Sequence, residues 1–139
     1  MQTEADWRRW AEEANSALAA LAGYDARWWS FGPPCHTFQL VVGDPVGVNV
    51  AIMLVGTKCV AGPTMWRDQI VRVSCLPTSA DGRAVLTWHV TEPSVGFRAE
   101  AQNLMWAKNV DVCDPRKWLL WRPPVYDRPD SGAASDGGS

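Results

Sequence analysis

Apolar and polar residues recur with two different periods along this chain, and the change of period divides it. Between Thr3 and Gly23 the period is helical: Trp7, Trp10, Ala14, Leu18 and Leu21 fall on one face, while Arg8, Arg9, Glu12, Glu13 and Asn15 mostly occupy the other. Thr3 is placed to cap the first turn, Glu4 and Asp6 set carboxylates where a helix N-terminus favours them, and Gly23 offers left-handed backbone for a stop. The spacing predicts one amphipathic helix over 3–22. Two tryptophans on its stripe make it a lid over a sheet or, alternatively, a helix that docks into a partner's groove.

From Arg27 onward short runs of alternating residues are broken by turn residues. Strands are predicted near 27–32, 36–42, 47–55, 57–61, 69–75, 83–90, 95–102 and 104–112, punctuated by Gly32-Pro33-Pro34, Gly43-Asp44-Pro45, Gly56, Gly62-Pro63, Asp81-Gly82 and Glu92-Pro93. Seven to eight short strands with one N-terminal helix predict a mainly β protein, an antiparallel sandwich or barrel. No strands alternate with long helices, which argues against a doubly wound α/β fold.

Alternation assigns faces within these strands. His36, Phe38, Leu40 and Val42 share one side, so His36 is expected to end an apolar row, pointing away from Cys35. In "RWWSFG" Trp29 and Phe31 are expected on one side, with Trp29 in the core, and Trp28 and Ser30 on the other. The run "VGVNVAIMLVG" is apolar on both faces and predicts cover on both, the helix on one and an opposing sheet on the other. Asn49 within it requires hydrogen-bond partners if buried. Leu86 and Trp88 oppose Val85, Thr87 and His89, and Val95, Phe97, Ala99 and Ala101 point inward against Arg98, Glu100 and Gln102.

Composition narrows the function classes. The 139 residues suffice for one domain, expected over 1–126. Residues 127–139, "DRPDSGAASDGGS", lack large apolar side chains and are expected to form a disordered polar tail. Net charge is −2 and no basic run exceeds Arg8-Arg9, which disfavours nucleic acid and anionic membranes as partners. The charged N-terminus does not read as a secretion signal and no apolar run is long enough to span a membrane, so a cytoplasmic location is expected.

Chemical signatures are sparse. Cys35, Cys59, Cys75 and Cys113 lie far apart and read as thiols that pack as small apolar residues. A zinc site built from them with His36 and His89 is the competing reading, but no C-x-x-C pair supports it, and no cofactor is expected. No phosphate loop, G-x-G-x-x-G, H-E-x-x-H or G-x-S-x-G occurs. Asp111 and Asp114 are near in sequence only, so the balance leans away from an enzyme.

"RWWSFG", "CHTFQL", "NVAI" and "GPTMW" followed by "QIVRV" resemble, over about residues 26–112, a group of small bacterial β-rich proteins sharing a W-S-F, C-H and G-P-T-x-W pattern. The resemblance implies a compact β-rich domain and carries no activity. "PPVY", Pro123 to Tyr126, matches a P-P-x-Y motif but reads first as part of "KWLLWRPPVY" packing on the domain.

Nine tryptophans are many for one core of this size. Trp28, Trp66, Trp106, Trp118, Trp121 and Tyr126 are therefore the candidate binding residues. Two functions fit them: a non-enzymatic protein-interaction module with a protein partner or a second copy of itself, or a domain that stacks carbohydrate or another small ligand on exposed rings.

Overall fold

A computed structural model describes residues 3–114 except 33–35 and 81. Cys35, Trp118, Trp121, the P-P-V-Y stretch with Tyr126 and the 127–139 tail lie outside the described residues. The element order is α1 (Glu4–Ala19), β1 (Ala26–Gly32), β2 (Thr37–Gly43), β3 (Asn49–Ala61), β4 (Met65–Trp66), β5 (Arg72–Ala80), β6 (Arg83–Glu92) and β7 (Phe97–Lys108), with a 3-10 turn over Pro93–Val95. The protein is mainly β, with one N-terminal helix.

Helix α1 starts where its capping chemistry says. The Asp6 amide donates to Thr3 Oγ1 (3.2 Å) and the Thr3 amide donates to Asp6 Oδ2 (3.0 Å), a reciprocal box that stabilises by about 1 kcal/mol. The helix ends at Ala19, earlier than Gly23, and tighter turns carry the chain to Gly23 at φ 89°. Trp10, Ala11, Ala14, Leu18 and Leu21 are buried, and Trp7 packs edge-on against Trp88 (5.8 Å between centroids).

All seven strands form one antiparallel sheet in the order β4-β1-β2-β3-β7-β6-β5, so a two-sheet sandwich is not what forms. The order also dictates the curvature. β4 and β5 sit at opposite edges, yet only residues 67–71 connect them. A flat seven-stranded sheet would separate its edges by roughly 29 Å, whereas five connecting residues reach roughly 20 Å. The sheet must therefore curl. Hydrogen bonds show where it meets: Trp66 Nε1 (2.7 Å) and the Ile70 amide (2.8 Å) both donate to Glu92 Oε1 at the end of β6, and Ser94 Oγ donates to Oε2 (2.9 Å). Gln69 Nε2 bridges the same connector to the carbonyls of Leu18 (3.1 Å) and Leu21 (2.9 Å).

Two long strands replace pairs of predicted ones. Gly56, read as a turn, sits at φ 68° inside β3 in register opposite Gln102, and a bulge follows it, with Lys58 the extra residue between Thr57 and Cys59. β7 runs through Asn103, and the two long strands pair along their common length. β4 was not foreseen. Its G-P-T-x-W run has structural work: a Cβ at Gly62 (φ 120°) would lie 2.7 Å from Phe97 Cα, Thr64 O accepts from the Trp28 amide (2.9 Å), and Trp66 is buried.

The inner face and α1 enclose the main core, centred on Phe38, Leu40, Ile52, Leu54, Trp88 and Phe97. A smaller cluster lies on the outer face, where Val41 and Ala51 are buried with Trp29, Met53, Met105 and Val112. The second cover of β3 is thus no opposing sheet; it includes the chain returning after β7. Asn49 clamps that return: its Nδ2 donates to Asp44 O and Val110 O (both 2.7 Å), and its Oδ1 accepts from the Val110 amide (3.1 Å).

A bulge breaks the expected alternation of β1. Trp28 pairs with Leu40 and Ser30 with Gln39, leaving Trp29 the extra residue and bringing Phe31 opposite Phe38. Trp28 and Trp29 do take opposite faces, but it is Trp28 that packs on the main core and Trp29 on the outer cluster, the reverse of the expected assignment. His36 also departs from expectation. It is exposed in a turn at φ 46°, and β2 begins after it.

Candidate functional site

β6 pairs with β7 only through residues 97–101, while β3 accompanies β7 to Lys108. Residues 102–108 therefore have a strand on one side and none on the other among the described residues. Helix α1 crosses this opening. Trp10 Nε1 donates to Leu104 O (3.2 Å), and the Trp10 and Trp106 rings meet at 5.0 Å with a 37° tilt.

Beyond that contact the two elements part around a cleft of about 520 Å³. Trp106 and Lys108 line it from β7; Trp10, Glu13, Ser16, Ala17 and Ala20 line it from α1. The helical residues recur at i, i+3, i+7 and i+10 along one stripe, and the small ones at 16, 17 and 20 leave room opposite the Trp106 ring. Trp106 reaches the inner face because it lies two residues from the buried Leu104 and opposite Ile52.

The polar groups of the cleft are unevenly used. Glu13 pairs with Arg9 (3.6 Å). Lys108 is exposed and makes no ion pair among the described residues. The indole Nε1 of Trp106 is buried with no hydrogen-bond partner among the described residues. Such a donor forfeits about 1–3 kcal/mol that an acceptor would return. Trp28 Nε1 and Arg27 Nε share this condition, but Trp28 is wedged edge-on against Phe38 (5.1 Å) and Phe97 (6.4 Å) in the core. Arg27 borders a smaller hollow of about 300 Å³ with Asp25 and Asp44.

The three described candidate tryptophans, Trp28, Trp66 and Trp106, do not gather on one exposed patch. Trp66 is 7% exposed, stacked on Phe97 at 4.8 Å and bonded to Glu92. Trp28 belongs to the same aromatic group through Phe97, and Trp106 alone of the described three borders an open cleft. Lys108 and the small helical residues went unnoticed in the sequence, and Trp10 was read only as part of the helix's apolar stripe. Their stripe is rotated about one residue from the apolar stripe 7-10-14-18-21, and only the missing length of β6 exposes it.

A second set of chemical groups aligns across the outer face. Register places Cys59, Glu100, His89 and Ser74 in one row over β3, β7, β6 and β5. Cys59 Sγ donates to Glu100 Oε2 (3.4 Å), and Arg98 lies 3.8 Å from the same carboxylate. Burial, then the bond to Glu100, pushes the Cys59 thiol up from its ordinary value. That keeps it protonated near neutrality, the wrong form for a nucleophile or metal ligand. Cys75 is pushed up chiefly by burial. Among the described residues no three His, Cys, Asp or Glu side chains converge to hold a metal ion. No described helix is long and apolar enough to cross a membrane.

Comparison with protein-family models, with curated proteins and with solved structures finds no match to this chain. The cleft's own geometry therefore carries the functional reading.

Proposed function

We propose that this protein is a non-enzymatic interaction module of the cytoplasm whose working surface is the cleft between α1 and β7. The supporting observation is the Trp106 indole, which borders an open cleft beside Lys108, its N–H unpartnered and Lys108 unpaired among the described residues. Aromatic rings in partly desolvated pockets, rimmed by a charged group, are what binding hot spots use. The occupant is a protein partner. A small ring-shaped ligand is the second reading, favoured by the cleft's volume of about 520 Å³ and its two indoles.

Ser16→Trp, an exposed position on the cleft rim, fills the space without touching the core. The test is affinity capture from the source lysate with wild-type and Ser16→Trp protein side by side, and native mass spectrometry of the wild type. A partner retained by the wild type and lost by the variant supports the reading. Equal capture by both moves the surface elsewhere. No protein partner, together with tryptophan fluorescence that responds to a glycan in the wild type only, establishes the second reading in its place.

A further inference from the structure

The sheet's free edges are treated unequally. On β5 the Asn15 carboxamide imitates a neighbouring strand: Nδ2 donates to Val73 O (2.8 Å) and Oδ1 accepts from the Val73 amide (2.7 Å). On β1 the two residues of β4 pair with Ala26 and Arg27, and Thr64 O takes the Trp28 amide (2.9 Å). Sealing of this kind is how proteins prevent unwanted strand pairing. β7 lacks it. The Asn109 amide donates to Asn49 O (2.9 Å) on the β3 side, so alternation turns the main-chain groups of residues 104, 106 and 108 the other way. Of these, Leu104 O is taken by Trp10 Nε1. No described residue bonds the main chain of Trp106 or Lys108 on that side.

We infer that the occupant of the cleft is an extended segment of a partner protein, added as a strand along residues 104–108 of β7. The inference rests on the reading that the cleft is the working surface. Main-chain bonds to Trp106 and Lys108 supply the pairing, and one inward side chain of the segment fills the space over Ser16, Ala17 and Ala20. That side chain packs against the Trp106 indole, which lines the cleft. Charge sets the remaining preference. Glu13 is already held by Arg9 and Lys108 has no ion pair among the described residues, so the segment carries an acidic residue beside Lys108.

A displayed library of linear heptapeptides, panned on the full chain, supplies the probe. Enriched sequences are expected to alternate apolar and polar residues and to include an acid. A synthetic peptide of the strongest sequence is then titrated against wild type, Trp106→Phe, Lys108→Ala, Ser16→Trp and Ala17→Trp, with each variant's thermal unfolding recorded. Trp106→Phe removes the five-membered ring with its N–H and shrinks the indole surface the segment packs on, and is expected to weaken binding about tenfold; both cleft-filling variants abolish it. Methylating alternate backbone nitrogens of the peptide, in the phase that faces β7, abolishes binding too, while the opposite phase is tolerated. If both methylated peptides bind as tightly as the parent while Ser16→Trp blocks them, the cleft stands and strand addition falls. If Ser16→Trp and Ala17→Trp fold and bind normally, or no peptide is enriched, the cleft reading falls with it.

Discussion

The junction where the sheet curls to meet itself and the cleft beside β7 solve the same problem differently. Both are places where strands stop pairing and leave polar groups without a ladder. At the junction every group named is engaged: Glu92, only 1% exposed, accepts from Trp66 Nε1, the Ile70 amide and Ser94 Oγ, and Asn15 and Gln69 complete the seam. At the cleft one indole N–H is buried without a partner and Lys108 has no counter-ion among the described residues. Structural polar groups in an interior are satisfied because leaving them unmade is costly. A donor left over beside an open cleft is the pattern expected of a surface completed by something else.

Substitutions sharpen or break this contrast. The largest effect belongs to Glu92→Leu, which strands the Trp66 and Ile70 donors and loosens the connector that holds the curl. It is expected to cost about 3 kcal/mol, read from the shift of the urea unfolding midpoint. A loss under about 1 kcal/mol makes the junction no better sealed than the cleft. Asn15→Ala is next. It frees both main-chain groups of Val73 and is expected to cost about 2 kcal/mol and to raise concentration-dependent association, seen by light scattering, as the β5 edge opens.

Trp106→Phe is expected to cost under about 1 kcal/mol, because the N–H it removes bonds to no described residue and that gain offsets part of the packing lost with the five-membered ring against Trp10. A loss near that of Glu92→Leu erases the difference between the two regions. The smallest effect is on pH. Burial raises both Cys59 and Cys75, so the unfolded chain ionises its thiols first. Their contribution to stability is complete below the ordinary thiol range, roughly pH 8.5–9, and is lost as pH rises toward the folded values. Urea midpoints at pH 7 and pH 10 are expected to differ by less in Cys59→Ser/Cys75→Ala than in the wild type.

Local chemistry was legible wherever the chain decides alone. The capping box on Thr3, the helical stripe from Trp10 to Leu21, the inward Phe97, Ala99 and Ala101, and the demand of Asn49 for partners all follow from residue type and period. Misreadings came where a single residue changes phase. The bulge at Trp29 put Ser30 and Phe31 out of phase with Trp28, and Gly56 lay inside a strand rather than at its end. Neither can be told from a turn by local pattern, because a bulge is defined by the strand opposite it. Trp106 was among the candidates on type alone, and Trp66, chosen on the same ground, is bonded to Glu92 deep in the junction.

By itself the sequence determined the helix, the identity of most strands and which side of most of them faces inward, because those depend on neighbours a few residues away. Tertiary structure alone decided that β4 and β5 lie at opposite edges joined by five residues, which forces the curl and buries Glu92. It alone decided that β6 leaves β7 after Ala101 and that a stripe of small helical residues faces the gap. These are consequences of pairing between distant segments, where the length of one strand, not its composition, fixes which groups of another are left unpaired.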